Sequence, residues 1–292
     1  MFIDPPLADL VRFPRRRAAW NSGNSRLTWP MPNTASLAAL AEHLDDAARH
    51  ARAVAQLAEP LTLPLAYEVQ RLSVERRLQR GEVRTGVKIA FANRAKLEQM
   101  GLREPIWGRL TSAMLVEDAA TIDPSRYLHP RVEPEIAFRL ARPLSGRVTL
   151  PEAVAALEAV APALEIIDGR YENFTFSLSD VVADNTSASG YVLGPWSEPH
   201  VDVGNLRMVL EIDGRPVQTG SSAAILDHPL HSLVAAAWLV AEAGETLRAG
   251  DVVMAGSATA PEALAPGCRV RLSVDRLGAV GFFVAERRAD RA

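Results

Sequence analysis

Cysteine is almost absent from this chain. Cys268 is the only one in 292 residues, so no intramolecular disulfide can form and neither a thiolate zinc cluster nor a disulfide-stapled scaffold can be built. That composition fits a reducing compartment, and a cytoplasmic location is expected. Long apolar runs are missing too: the longest candidates are cut by Glu, Arg, Pro or Gly, short of the roughly 18 uninterrupted residues that a membrane-crossing helix needs. The basic triplet Arg15-Arg16-Arg17 is followed by polar and small residues where a signal peptide needs an apolar segment. Neither sign of charge dominates. A net charge of −3 with both signs interspersed gives no reason to expect nucleic acid or an anionic membrane as partner. No phosphate loop, dinucleotide fingerprint or Gly-x-Ser-x-Gly elbow occurs. His228 and His231 read as helix-start residues, and Cys268 as the residue after a turn glycine.

What remains is an ordinary globular composition with punctuated texture. Residues 1–33 hold Pro5, Pro6, Pro14, Pro30 and Pro32 without apolar periodicity and are expected to be a disordered leader outside the fold. Residues 34–82 read as a helical subregion. Asn33 or Thr34 can cap a helix in which Leu37, Leu40, Leu44, Ala47, Ala51 and Val54 recur at helical spacing, and a second helix spans about 65–80 and ends at Gly81. From Val83 onward, short β-branched runs separated by Gly, Pro and Asp predict strands, with hairpins at Asp213-Gly214 and Leu277-Gly278. Helices are expected over about 151–160, opened by Pro151, and over about 228–243, capped by Asp227 and stopped by Gly244. The class is α+β, with one catalytic domain over 83–287 behind the helical subregion.

Three acids and a lysine stand out chemically. In Arg131-Val132-Glu133-Pro134-Glu135-Ile136, period-two alternation places Glu133 and Glu135 on one strand face. Like charges there are tolerated if water surrounds them or if a cation sits between them, and Pro134 suggests an edge or irregular strand. Glu165 lies inside the apolar run 161–167, which predicts a buried strand holding a charge that needs a partner. That partner is either an arginine such as Arg170 or a hard divalent cation, which takes carboxylate oxygens and keeps exchangeable positions. Lys88 is a lone lysine in an apolar strand after Gly86. It packs its stem and sends the ammonium to water, or has a lowered pKa, or is aimed at an anionic ligand.

The segments GVKIAFANRAKLEQMG, WGRLTSAML, HPRVEPEIAFRLARPLSG, VAPALEIIDGRYENFTFSLSDVVADN, DHP and AGSATAPEALAPG together resemble the hydratase and decarboxylase branch of the fumarylacetoacetate-hydrolase superfamily, over roughly residues 34–285. The run DGRYENF followed by VVADN is more similar to the decarboxylases. The resemblance implies a distorted mixed β-roll with flanking helices and a Mg2+ or Mn2+ held by Glu133, Glu135 and Glu165. Lys88 is implied as the catalytic lysine, and Arg170, Gly256, Ser257 and Thr259 as substrate-binding residues. The implied reaction is metal-dependent decarboxylation of a 2-oxo-3-enedioate of the 4-oxalocrotonate kind to a 2-hydroxydienoate, in the catabolism of aromatic compounds. Hydration of 2-hydroxypenta-2,4-dienoate is the alternative, and a non-catalytic partner subunit is a reading from another class. A small unsaturated 2-oxo acid is the expected ligand, and a homo-oligomer, with a paralogous hydratase as further partner, the expected assembly.

Departures from the family pattern fall at Ala90, at Ala92-Asn93, at Gly220 to Ala224, and at Ser112, where an aspartate is expected. Loss of that acid would hinder water addition, which needs a proton shuttle, more than decarboxylation, which removes no carbon-bound proton first.

Overall fold

Leu37, Ala41, Leu44 and Ala47 form one buried stripe of α1 (Thr34–Arg49), which packs on Ala66 and Val69 of α2 (Leu63–Gln79). The structure is a computed structural model describing residues 34–57, 59–93, 97–98 and 102–287; the expected leader and the Asn33 cap lie outside the described residues. The first helix ends before the predicted Val54. Ala51 turns left-handed at φ 47°, and Val54 pairs with Tyr171, its N–H donating to the Arg170 carbonyl at 2.8 Å. Its apolar side chain is thus spent on anchoring the helical pair to a loop of the sheet.

The remaining elements run β1 (Arg84–Ala90), β2 (Ile106–Thr111), β3 (Leu115–Val116), β4 (Thr121–Ile122), β5 (Arg131–Leu140), α3 (Leu150–Ala155), β6 (Leu157–Ile167), α4 (Leu178–Ala183), β7 (Ala188–Leu193), β8 (Arg207–Ile212), β9 (Arg215–Ser221), α5 (Pro229–Glu242), β10 (Val252–Met254), β11 (Glu262–Ala263), β12 (Arg269–Val274) and β13 (Gly278–Val284). One mixed sheet has the order β2-β1-β10-β5-β6-β7-β3, with β11 continuing along β5; the second runs β4-β13-β12-β8-β9. Ile136, Phe138 and Leu164 of the first sheet share a core with Leu210, Leu272 and Phe282 of the second. This is the expected α+β arrangement of mixed sheets with flanking helices, and both predicted hairpins are present.

Three local expectations change. The helix predicted over 151–160 stops at Ala155, after a capping box between Thr149 and Glu152. Residues from Leu157 join β6 because pairing with β5 is available as far as Leu140, and long-range strand pairing outweighs a weak local helical tendency. Helix α5 is capped by His228, whose ring Nδ1 accepts the Leu230 N–H at 3.2 Å, while Asp227 sits left-handed at φ 66°. Of the two alternatives the edge fails and the irregular strand holds, for Pro134 lies in the interior of the sheet. Its carbonyl accepts the Ala258 N–H at 3.0 Å, so its missing donor faces the gap between β10, which ends opposite Ala137, and β11, which begins opposite Val132. A proline is harmless where no ladder bond is due.

The most apolar stretch, Ser222–Glu242, is long and apolar enough by length and composition to cross a membrane. Here it serves the core: Leu233, Ala236, Ala237 and Val240 are buried in the main core, and the helix packs against β1, β2 and α3.

Gly86 is the tightest approach in the β1 region. It holds φ 154°, and a Cβ there would lie 1.9 Å from the Val252 carbonyl oxygen of the parallel partner β10. Gly86→Ala is expected to lower the urea midpoint by an amount equivalent to about 3 kcal/mol with an unchanged m-value. A midpoint equal to wild type would mean that the two strands do not meet so closely.

Candidate active site

The register of β5 against β6 brings the acids together. Glu133 stands directly opposite Glu165, and Glu135 opposite the small Ala163. Alternation puts Glu135 on the same face as Glu133, so one oxygen from each carboxylate falls within 4.8 Å of the others. Glu135 and Glu165 are fully buried, and Glu133 is half-buried at the open side. From β1, Lys88 reaches the same point: its Nζ lies 3.0 Å from Glu165 Oε2, an ion pair with both side chains out of water. The Gly256 N–H donates to Glu135 Oε2 at 2.8 Å. Glu165 therefore pairs with Lys88. Arg170, the arginine weighed as its partner, is bound elsewhere.

Three carboxylates so close and so dry cannot all ionise unaided. Burial, then the charge of Glu165, pushes the Glu135 carboxyl well above its ordinary range; burial also raises Glu165, against the pull of Lys88. For Lys88 the alternative of a lowered pKa is the one that fails. Burial alone would depress the ammonium, but Glu165, Glu133 and Glu135 together outweigh it and the pKa rises. Glu135 Oε1 and Glu165 Oε1 accept no hydrogen bond among the described residues. Buried acceptors left open beside a third carboxylate are what a hard cation with oxygen ligands satisfies, so the donor set fits a divalent metal.

A cavity of about 440 Å³ opens over this cluster. Lys88, Glu133, Ser257 and Thr259 give it a polar end; Ile106, Phe174, Phe176 and Val181 form an apolar wall. The loop between β10 and β11 carries Gly256, Ser257 and Thr259 across the gap at Pro134. Gly256 takes φ 100°, where a Cβ would lie 2.3 Å from that of Ala92, and Ser257 Oγ donates to the Thr259 carbonyl at 2.6 Å. The departures at Ala90, Ala92 and Asn93 all line the cavity.

Other expectations fail on position. Arg170 does not line this cavity. Its Nε donates to Asp184 Oδ1 at 2.6 Å, its Nη2 to the Asp184 carbonyl at 2.7 Å and its Nη1 to Ser189 Oγ at 2.7 Å, so it braces the chain behind the site and has no free edge for a substrate there. Ser112 is exposed, and its Oγ accepts the Val83 N–H at 3.0 Å; no proton shuttle can be read at that position. Ser222 is buried away from the cavity, fastening Val203 to Leu206. Sequence reasoning missed Phe174, Phe176, Thr186 and Ser187. The last two enter because Asn185, Thr186 and Ser187 are consecutively left-handed, at φ 51°, 50° and 61°, while the Asn185 amide clamps the Arg109 backbone at both N–H and carbonyl. Only the asparagine, tolerant of that conformation, hinted at this turn.

Comparison with known proteins agrees with this geometry. Residues 82–285 match the family model described as Fumarylacetoacetate (FAA) hydrolase C-terminal. The chain is 52% identical over 245 residues to a 4-oxalocrotonate decarboxylase of Pseudomonas sp, covering 83% of this chain and 96% of the relative. It is 36% identical over 218 residues to a 2-keto-4-pentenoate hydratase of Paraburkholderia xenovorans (strain LB400), covering 74% and 81%. Its fold superposes on the solved 4-oxalocrotonate decarboxylase from Pseudomonas putida G7 complexed with magnesium and adipate, with TM-score 0.84 and 35% identity over 86% of this chain and 98% of that one. Three carboxylates on paired strands, a lysine from a third strand and a match of sequence and fold over more than four-fifths of the chain place this chain in the fumarylacetoacetate hydrolase family.

Proposed function

We propose that this chain is a cytoplasmic carbon–carbon lyase that decarboxylates a 2-oxo-3-enedioate of the 4-oxalocrotonate kind to a 2-hydroxydienoate, within the breakdown of aromatic compounds. The observation that carries the reading is the buried triad of Glu133, Glu135 and Glu165 with Lys88 at the polar end of a cavity whose far wall is aromatic. The likeness to a decarboxylase at 52% identity supports it. The catalytic unit would span 83–287, with 34–82 as its helical cover and 1–33 as leader.

Glu133, Glu135 and Glu165 would hold Mg2+ or Mn2+. When bound, such a cation supplies Lewis-acid stabilisation of negative charge developing on the substrate's 2-oxo oxygen. The protein's own groups do the rest. Phe174, Phe176 and Ile106 enclose the conjugated chain away from water, so the scissile carbon–carbon bond sits in an apolar setting that favours leaving as neutral carbon dioxide. The bond's electron pair moves through the chain to the 2-oxo oxygen. Lys88, kept as an ammonium by its acidic neighbours, orients that oxygen and is placed to give it the proton that completes the dienol. Ser257 and Thr259, on the loop fixed by the bond from Gly256 to Glu135, would close over the substrate's near carboxylate. Hydration of 2-hydroxypenta-2,4-dienoate is the second reading, supported by 36% identity to a hydratase. Retention of all three acids and the lysine speaks against a silent subunit. A homo-oligomer, joined by a paralogous hydratase, is the assembly we expect.

With Mg2+ and 2-oxohex-3-enedioate, purified protein should release carbon dioxide; with 2-hydroxypenta-2,4-dienoate it should leave the dienol absorbance unchanged. Dienol loss without carbon dioxide release would make it the hydratase. Glu135→Gln should fold, lower kcat/KM by about 100-fold or more, and abolish the rise in Tm that Mg2+ gives the wild type; an unaltered metal response would remove Glu135 from the ligand set. The pH response follows from the raised carboxyls. Protonated, Glu135 and Glu165 favour the metal-free fold below the ordinary carboxylate range, and that contribution is lost as pH rises through their elevated values. A cation needs them ionised, so the Mg2+-dependent gain in Tm should be small near about pH 5 and grow toward about pH 8. A gain independent of pH would contradict carboxylate ligation.

A further inference from the structure

Behind the catalytic cavity lies a second one, of about 380 Å³. The two share a wall: Ile167, Thr186 and Ser187 face the first, while Asp168, Ala188 and Ser189 face the second. Arginines crowd this second space. Arg49, Arg77, Arg80, Arg126 and Arg170 line it, from α1, α2 and the loops before β5 and after β6.

Three carboxylates also line it, and each is already engaged. Asp45 is buried and takes both ends of the Arg80 guanidinium, at 2.6 and 2.8 Å, with Arg76 Nε at 3.1 Å. Asp168 accepts the Leu128 and His129 N–H groups. Glu82 accepts the Thr111 hydroxyl. Arg77 is left over. Its side chain is only 13% exposed, and its single polar side-chain contact among the described residues is Asp45 Oδ1 at 3.6 Å, on an acid that Arg80 and Arg76 already saturate. Burial, and then the nearby Arg170 charge, lower its pKa. The remaining donors of Arg77 therefore face the cavity, in a space that Arg170 also lines, and an anion there would take the place of water on a guanidinium with a second positive charge nearby.

We propose that this cavity is a binding site for a small oxyanion with two or more negative charges, held by Arg77 and by Arg126 at the rim. The planar fork of a guanidinium matches both a phosphate and a carboxylate group bidentately, and about 380 Å³ lies within the usual range of small-molecule sites. Inorganic phosphate and a short dicarboxylate present the same chemistry. They differ in shape: a phosphate offers one tetrahedral group and a dicarboxylate two planar ones. The site is separate from the carboxylate cluster, whose acids repel such ligands unless a cation is bound.

The test measures Tm of the Mg2+-loaded full-length protein in about 10 mM inorganic phosphate, about 10 mM succinate, and sodium chloride of equal ionic strength. Wild type should gain about 2 °C or more over chloride with at least one of the two anions, and the one that acts identifies the source. Arg77→Gln should lose that increment. Succinate held at the catalytic metal would stabilise both proteins alike and so cancels in the comparison. If Arg77→Gln does not fold, Arg126→Gln is read instead, with a half-saturating anion concentration several-fold higher than wild type. No gain over chloride in wild type, a full gain retained by Arg77→Gln, or an unshifted half-saturation in Arg126→Gln would overturn the site.

Discussion

Burying three carboxylates within reach of one another is the constraint around which this protein is arranged. Glu135 and Glu165 have left water entirely, and the ammonium of Lys88 together with one backbone N–H from Gly256 supplies the compensation visible among the described residues. Among the described residues, one ammonium set against the two fully buried acids Glu135 and Glu165 leaves an excess of negative charge in a medium of low dielectric. Such an arrangement persists when a further positive charge completes it. The surrounding backbone is shaped to allow that. Gly86 lets β1 approach β10 so that Lys88 arrives at depth, Ala163 leaves room opposite Glu135, and Gly256 turns the loop where any Cβ would strike Ala92.

The interruption between β10 and β11 is the second feature that makes a site of a sheet. A continuous ladder along β5 would leave no loop to cross beside the acids. Instead the ladder breaks where Pro134 has no N–H to give, and the loop carrying Ser257 and Thr259 crosses there. On the opposite side, the left-handed turn 185–187 projects Thr186 and Ser187 into the cavity while Arg170, gripped by Asp184, holds its base. Backbone strain of this kind persists only where neighbouring bonds over-determine it, and here the Asn185 clamp on β2 and the Asp184–Arg170 pair do so.

Much of this was legible beforehand, for stated reasons. Helical spacing located α1, α2 and α5, Asp213-Gly214 marked its hairpin, and period two set Glu133 beside Glu135. The errors lie where long-range contact overrides local tendency. Val54 left its helix to pair with Tyr171, Leu157 to Val160 left theirs to extend β6, and His228 displaced Asp227 as cap. Arg170 carried the right chemistry in the wrong place: a guanidinium following an acid-bearing strand reads equally as substrate clamp or brace, and only the position of Asp184 decides. Phe174 and Phe176 gave no warning, since aromatic residues in a polar loop have no periodicity to betray the face they cover.

The residues of this chain determined by themselves where the chemistry stands: two glutamates on one strand face, a third in a strand too apolar to leave it exposed, and a lysine where only a stem should pack; that the four meet was implied only by the family resemblance. Those properties are local, set by the pleat of a strand and by the cost of dehydrating charge. Tertiary structure alone decided the distances among them, that Lys88 and not Arg170 answers Glu165, and that a second, arginine-lined cavity stands behind the first. Each of these depends on the register of β5 against β6 and on how α1 and α2 dock beside them. Register and docking are fixed by the packing of many distant side chains at once, which no segment of the sequence carries alone.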